Sequence, residues 1–279
     1  MKSFAILTDV TKCIGCEECV TACKNANETG AADAPWKWQS EATGLSATRW
    51  TTIERAPGGR YVRVHCRHCL DPGCAAACPV GALKVTDEGA VAYDASICMG
   101  CRYCLIACPF VMTRYEWDSP TPRVRKCILC YDEIKAGRMQ QPACTKECPT
   151  EATIFGDRDK LLAEARRRID AEPGKYIDHI WGEHEVGGTS VLYISDVDLA
   201  TAGWPARLSD GAVPTLANNV LRTVPGTFLG VGVAMAGIHW IVKRRQKLTA
   251  EAAEQGAADA KGELDAAEAG SERSNEEGS

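Results

Sequence analysis

The sequence CMGCRYCLIACP, residues 98–109, contains four cysteines at the spacing CxxCxxCxxxC and ends on a proline. Near the N-terminus, CIGCEECVTACK, residues 13–24, repeats that spacing without the proline. All sixteen cysteines of the 279-residue chain fall into four such quartets, so a site that uses every thiol is the first feature to explain. The quartets are Cys13, Cys16, Cys19 and Cys23; Cys66, Cys69, Cys74 and Cys78; Cys98, Cys101, Cys104 and Cys108; and Cys127, Cys130, Cys144 and Cys148.

The quartets are variants of one pattern. Quartet two widens the middle gap to CxxCx4CxxxC, and quartet four inserts YDEIKAGRMQQPA at the same place. Quartets two and four end alike, because CPVGAL from residue 78 and CPTEAT from residue 148 both run from the last cysteine through proline and alanine toward a predicted strand. This similarity indicates duplicated units with insertions.

Four thiolates can bind zinc or an iron-sulfur cluster. Structural zinc sites usually combine one CxxC with a second, well separated pair, whereas CxxCxxC can wrap one loop around a cubane and provide a thiolate to each of three irons. In bacterial ferredoxins, the cysteine before the proline ligates the other cluster of the pair. The spacing therefore favours iron-sulfur clusters over zinc, and a chain of this length disfavours a disulfide framework.

Short strands are predicted between the quartets. Residues 48–66 carry a Pro-Gly-Gly turn between alternating residues, and residues 82–94 have the same character around Asp-Glu-Gly, so each predicts a hairpin. Residues 157–175 have the apolar spacing of one amphipathic helix, and residues 191–194 predict a strand. The predicted fold class is α+β, with duplicated bacterial ferredoxin-like modules of short strands and helices and one C-terminal transmembrane helix.

The membrane signal lies near the C-terminus. Residues 224–242, VPGTFLGVGVAMAGIHWIV, contain no charged side chain, over a length close to the about 20 residues that a spanning helix needs. The basic residues KRRQK follow at 243–247, so the positive-inside bias predicts a cytoplasmic tail and a cysteine region on the outer, periplasmic face of the cell membrane. The acidic, alanine-rich residues 249–279 have a composition typical of disorder.

Four segments follow from these patterns. We predict a double dicluster ferredoxin-like domain at 1–160, a helix, strand and connector at 161–223, the transmembrane helix at 224–242, and a basic stop segment with an acidic disordered tail at 243–279. The N-terminal MKSFAILTDV has neither a signal peptide nor a twin arginine. We therefore expect the cluster domain to be exported folded, with a partner that carries the signal.

Composition and motifs exclude several functions. The net charge of -5 lacks the basic footprint of a nucleic-acid-binding protein. The sequence contains no G-x-G-x-x-G, nucleophile elbow or HExxH. A cubane held by four cysteines has no open iron, so it can pass an electron but cannot bind a substrate. We expect a non-catalytic electron-transfer protein, with a membrane-tethered zinc scaffold and a self-contained iron-sulfur enzyme as alternatives.

The chain resembles the electron-transfer (beta) subunits of membrane-bound respiratory oxidoreductases, above all the formate dehydrogenase beta subunit and the hydrogenase 2 iron-sulfur subunit. The resemblance covers about residues 5–242. It rests on the order of the four quartets, on CPVGAL and CPTEAT, and on GEHEVGGTSVLY, residues 182–193. The single C-terminal span also looks like these two branches.

The resemblance implies four [4Fe-4S] clusters with crossed ligation, in which quartets one and four, and quartets two and three, exchange their last cysteines. The implied ligands are Cys13, Cys16, Cys19 and Cys148 for cluster 1; Cys127, Cys130, Cys144 and Cys23 for cluster 2; Cys66, Cys69, Cys74 and Cys108 for cluster 3; and Cys98, Cys101, Cys104 and Cys78 for cluster 4. The implied partners are a nickel-iron hydrogenase or molybdopterin catalytic subunit and an integral membrane subunit that binds quinone or haem.

Ionisable residues lie beside several cysteines. His65 and His68 flank Cys66, and a histidine can replace a thiolate in such a cluster. Because all sixteen cysteines are present, we interpret both as supporting or surface residues. Charged neighbours of the cysteines are interpreted as solvated. They are Lys12, Lys24, Arg67, Arg102 and Lys126.

Overall fold

The computed structural model describes residues 3–30, 44–117, 119–120, 122–202, 204–206 and 208–276. The strands are β1 Phe4–Asp9, β2 Thr51–Ala56, β3 Arg60–His65, β4 Leu83–Val85, β5 Val91–Tyr93, β6 Arg114–Tyr115, β7 Val124–Arg125, β8 Thr153–Asp157 and β9 Val191–Ile194. The α-helices are α1 Glu18–Ala26, α2 Gly73–Ala76, α3 Tyr103–Ile106, α4 Tyr131–Lys135, α5 Ala143–Lys146, α6 Arg158–Ala171 and α7 Val213–Glu276. The chain divides into two compact units, 1–217 and 218–279.

Both predicted hairpins are confirmed. Strands β2 and β3 pair antiparallel, with Thr51 opposite His65, and a single 3₁₀ turn at Pro57–Gly59 joins them. Gly58 and Gly59 both have positive φ, which the Pro-Gly-Gly sequence permits without the steric penalty of a Cβ. Strands β4 and β5 form the second antiparallel pair. Each hairpin ends close in sequence to a cysteine quartet, since β3 ends at His65, directly before Cys66, and β5 ends at Tyr93, five residues before Cys98.

The first unit contains a three-stranded sheet of strand order β8-β1-β9. Its central strand β1 pairs antiparallel with β8 and parallel with β9. Helix α6 covers this sheet because its apolar positions recur at helical spacing: Leu161, Ala165 and Ile169 are buried against residues of β1 and β9. The predicted helix and the predicted strand at 191–194 are therefore confirmed, and both pack with the N-terminal strand.

The second unit is helical. Helix α7 includes the apolar residues 224–242 and is long and apolar enough to cross a membrane. The acidic tail differs from the prediction of disorder, since the helix continues to Glu276. Alanine, glutamate and lysine have high helix propensity, and Lys247 forms an i,i+4 ion pair with Glu251 at 3.8 Å. Local propensity thus accounts for helix in a segment too polar to form a core.

Candidate iron-sulfur site

The first turn of every quartet has the same backbone conformation. The residue before the second cysteine has a left-handed φ in each: +73° at Gly15, +48° at His68, +74° at Gly100 and +61° at Leu129. This conformation bends the chain sharply between two cysteines. At His68 and Leu129 it costs about 1–2 kcal/mol, because a side chain is present. Both of these side chains are buried, so core packing offsets that strain.

The last cysteine of three quartets lies in a second bend. The third residue after each of these cysteines again has positive φ, so that amides behind the proline point toward the sulfur. These residues are Gly81, Val111 and Glu151. The amide of Ala82 donates to Sγ of Cys78 at 3.2 Å. Burial acts to raise the pKa of Cys78, but hydrogen bonds from the backbone of residues 80–83 outweigh burial, so the pKa is lower than usual. This loop therefore favours the thiolate.

The cysteines gather into four sets, each made from the first three cysteines of one quartet and the last cysteine of another. Set 1 is Cys13, Cys16, Cys19 and Cys148; set 2 is Cys23, Cys127, Cys130 and Cys144; set 3 is Cys66, Cys69, Cys74 and Cys108; set 4 is Cys78, Cys98, Cys101 and Cys104. Within a set, the thiols are electrostatic neighbours of one another. The resemblance assigns the same cysteines to common clusters, and that ligation stays a prediction.

Two of the sets line cavities. All four cysteines of set 2 line one small cavity, and all four cysteines of set 4 line another. Polar groups approach sulfur in both: Nδ2 of Asn27 lies 3.6 Å from Sγ of Cys23, and the Tyr115 hydroxyl lies 3.2 Å from Sγ of Cys104. Hydrogen bonds to cysteine sulfur are among the factors that tune iron-sulfur clusters. These cavities therefore suit a group held by four thiolates.

A single zinc ion and a cubane need different spacings of their thiolate ligands. Within the described ranges, no group of three or more Cys, His, Asp or Glu side chains is arranged to hold one metal ion. Zn–S bonds of about 2.3 Å would place tetrahedral sulfurs only about 3.8 Å apart. A cubane needs wider spacing, because each of its four thiolates binds a different iron. Each set offers four cysteine thiols, the number of protein ligands that a [4Fe-4S] cluster takes.

Burial of the cysteine side chains disfavours their thiolate form, which a bound cation would stabilise. It raises the pKa of Cys19 to about 11, and that of Cys74 and Cys127 to about 12. Without a metal, these three side chains would therefore be protonated at neutral pH, although the thiolate is the form that binds metal. Iron would supply the positive charge that stabilises the thiolates.

The four sets form a row in numerical order. Neighbouring sets meet through one pair of buried cysteines each, within a shared apolar cluster. The pairs are Cys19 with Cys144, Cys66 with Cys127, and Cys74 with Cys104. Of the sixteen cysteines, all of which the structure describes, only Cys16 and Cys101 are exposed. These two belong to set 1 and set 4, so both ends of the row reach the surface.

Known proteins share this pattern over most of the chain. The model of the 4Fe-4S dicluster domain family matches residues 59–158. Hydrogenase-2 operon protein HybA of Escherichia coli O157:H7 is 32% identical over an alignment of 284 positions, which covers 88% of this chain and 85% of HybA. The nitrate-inducible formate dehydrogenase iron-sulfur subunit of E. coli K12 is 36% identical over 208 residues, 68% of this chain and 67% of that subunit. The formate dehydrogenase iron-sulfur subunit of Haemophilus influenzae is 32% identical over 256 residues, 84% and 78% of the two chains.

Similarity of this extent decides the assignment. The chain belongs to this family of iron-sulfur subunits. The resemblance drawn from the quartets is thereby confirmed, as is the ferredoxin-like α+β fold with one apolar C-terminal helix. The matched dicluster region contains quartets two, three and four.

Two charged neighbours of the cysteines in this iron-sulfur subunit are buried, so their interpretation as solvated was wrong. Arg67 is 1% exposed, and its guanidinium stacks on Tyr193 and Trp204, 4.6 Å from each ring centroid. Lys126 is 3% exposed, and its Nζ donates to the carbonyls of Val91, at 2.5 Å, and Cys127, at 3.0 Å. Aromatic faces and carbonyl oxygens replace the water that a charge normally requires.

The two histidines beside Cys66 are not surface residues. His65 and His68 are both fully buried, and burial is the main reason that their pKa values are well below the usual range. Nδ1 of His68 accepts a hydrogen bond from the amide of Val91 at 3.0 Å. His68 therefore supports the second quartet as a neutral side chain.

Arg63 is the candidate that sequence reasoning missed. It lies on β3, is 1% exposed and lines the set 2 cavity. An arginine in a strand normally indicates a solvent-facing position. Here Val62 and Val64 are buried as well, so both faces of β3 are covered. The usual alternation of buried and exposed residues along a strand is absent, so it cannot indicate which side chains are buried.

Proposed function

We propose that this protein is an electron-transfer subunit that carries electrons through four [4Fe-4S] clusters. They would pass between a catalytic subunit, of the nickel-iron hydrogenase or molybdopterin formate dehydrogenase type, and a membrane subunit that reacts with quinone. The observation that carries the proposal is the row of four thiol sets, each supplied with four cysteines. Relatives named for hydrogenase-2 and for formate dehydrogenase support this kind of complex.

Each set would hold one cluster, so that sets 1 to 4 correspond to clusters 1 to 4. A bound [4Fe-4S] cluster takes up and releases one electron. Full ligation by cysteine leaves no site for substrate, which supports a non-catalytic role for this chain. Residues 1–160 would carry the clusters, 161–223 would brace and connect them, 224–242 would cross the membrane, and 243–279 would follow it.

The chain's own contribution is to hold the sets close and keep water from them. Crossing supports this role, because two quartets that exchange cysteines cannot separate without breaking both sites. At the set 4 end, apolar side chains surround the exposed Cys101: Met99 is 65%, Tyr103 58% and Ile106 83% exposed. Such a surface is typical of a protein interface, so we assign it to a partner subunit.

Chain connectivity suggests which end of the row faces the membrane. Thr215, near the start of α7, donates a hydrogen bond to Asp71 at 2.5 Å. Asp71 lies within the second quartet, which supplies cysteines to sets 3 and 4. Only residues 218–223 separate the first unit from the predicted span. Sets 3 and 4 would therefore face the membrane subunit, and set 1, with exposed Cys16, would face the catalytic subunit.

Charge supports the proposed sidedness. Lys243, Arg244, Arg245 and Lys247 directly follow the span, so the tail would be cytoplasmic and the cluster unit would lie on the periplasmic face.

Cys101→Ser tests the proposed relay. In the detergent-solubilised complex we expect quinone reduction by hydrogen or formate to fall about tenfold or more, because set 4 would be the last site before the membrane subunit. Reduction of a viologen dye by the catalytic subunit should be retained, and the exposed-site control Ser96→Ala should change neither rate. Unchanged quinone reduction in a variant that has lost the cluster 4 EPR signal would contradict the proposal.

A further inference from the structure

A fully buried guanidinium lies at the cavity that the thiols of set 2 line. Arg63 lines the set 2 cavity together with all four set 2 cysteines. Its Nε donates to Oγ1 of Thr51 at 3.0 Å, whereas its Nη1 has no hydrogen-bond partner. An arginine remains protonated in proteins. The fold therefore holds a permanent positive charge, with an unused donor, beside this cavity.

The electrostatic neighbours of Arg63 include cysteines of both sets, namely Cys144 of set 2 and Cys19 of set 1. Among the described residues, Arg63 forms no ion pair with a carboxylate. The positive charge of Arg63 can therefore interact with a negatively charged group bound by the two thiol sets.

We infer that Arg63 raises the reduction potentials of the clusters in sets 1 and 2, because it holds a buried positive charge at the set 2 cavity and near Cys19 of set 1. This inference rests on the proposed function. One-electron reduction adds one negative charge to a cluster site, and a buried cation stabilises that charge strongly because the interior screens it weakly. Arg63 therefore raises both potentials. Set 2 responds more, since the side chain lines its cavity.

Set 4 provides an internal reference. It is separated from set 2 by set 3, and its thiols have their own surroundings of Tyr93 and Tyr115. A local charge effect should leave the cluster 4 potential unchanged. General damage to the fold should shift or broaden all four signals together.

Redox titration followed by EPR tests the inference in the solubilised complex. In Arg63→Gln we expect the equilibrium constant for reduction of cluster 2 to fall about tenfold or more, a change of about 59 mV for a one-electron couple. Cluster 1 should shift less, in the same direction. Arg63→Lys keeps the charge and should remain near the wild-type value. Arg55→Gln removes an exposed charge from the same hairpin and should shift nothing.

The results for the two Arg63 variants and the wild-type complex distinguish the charge effect from a structural role and from failure of the proposed function. Unchanged potentials in a fully loaded Arg63→Gln protein would overturn the inference while leaving the proposed function intact. If Arg63→Gln loses its clusters, Arg63→Lys decides: a loaded protein with wild-type potentials supports the charge, and renewed loss assigns Arg63 a structural role instead. Absence of four clusters from the wild-type complex would refute the proposed function itself.

Discussion

At the residue scale, the last cysteine of each quartet lies among cysteines of another quartet. Cys23 follows Cys19 on helix α1, yet its neighbours are Cys127, Cys144 and Cys130 of the fourth quartet. The helix explains this, because residues four positions apart are displaced by about 6 Å along its axis. The first turn can therefore serve one set while Cys23 serves the next.

Serine substitution tests this crossing. If Cys23 belongs to set 2, Cys23→Ser should alter the same cluster signal as Cys144→Ser, since both remove a ligand of one site. Cys16→Ser should alter a different signal, although Cys16 lies in the same quartet as Cys23. EPR redox titration of the three variants makes the comparison. A signal shared by Cys23→Ser and Cys16→Ser, and distinct from that of Cys144→Ser, would show ligation within quartets.

At the element scale, the loop 182–190 braces the second quartet. The amide of Leu70 donates to the carbonyl of Gly188 at 3.0 Å, and the amide of Ser190 donates to the carbonyl of His68 at 2.9 Å. Gly182 starts this loop at φ +93°. A Cβ there would lie 2.4 Å from Oγ1 of Thr189 and 2.6 Å from the carbonyl of Val191, so backbone would have to move.

Gly182→Ala should therefore destabilise the first unit by about 3 kcal/mol, and should lower its apparent unfolding temperature by about 6–12 °C. Gly137→Ala is the matched control, because Gly137 also has positive φ, +74°, but a Cβ on it would have no neighbouring atom within 4 Å. It should lower the temperature by about 2–4 °C only. Thermal scans at one heating rate measure both, and equal shifts would show that strain alone, without the clash, explains Gly182.

Elements with a local signal were predictable, and elements that depend on distant partners were not. Turn residues and periodicity identified both hairpins, α6 and β9. Strand β1 was missed, because its pairing with β8 and β9 involves residues far along the chain. The cysteine spacing identified the site. The burial of Arg63, Arg67 and Lys126 depends on tertiary neighbours, and residue type alone predicts the opposite.

At the scale of the whole molecule, the chain combines a cysteine-bearing unit with an exposed apolar helix. Val233 lies in the middle of the predicted span and is 67% exposed. Arginine at the centre of a spanning helix costs about 2.5–3.5 kcal/mol. Val233→Arg should therefore release part of the protein from membranes washed with alkaline carbonate, whereas Ala252→Arg, beyond the span, should not. Equal retention of both variants would contradict a membrane-spanning role for residues 224–242.

The central claim is that four thiol sets hold four [4Fe-4S] clusters. Metal and sulfide analysis with Mössbauer spectroscopy, on the full-length chain purified in detergent without oxygen, tests it most directly. Four clusters correspond to about 16 iron and about 16 acid-labile sulfide per chain, so we expect these amounts, all in [4Fe-4S] form and without zinc. Stoichiometric zinc, or iron for only two clusters, would contradict it.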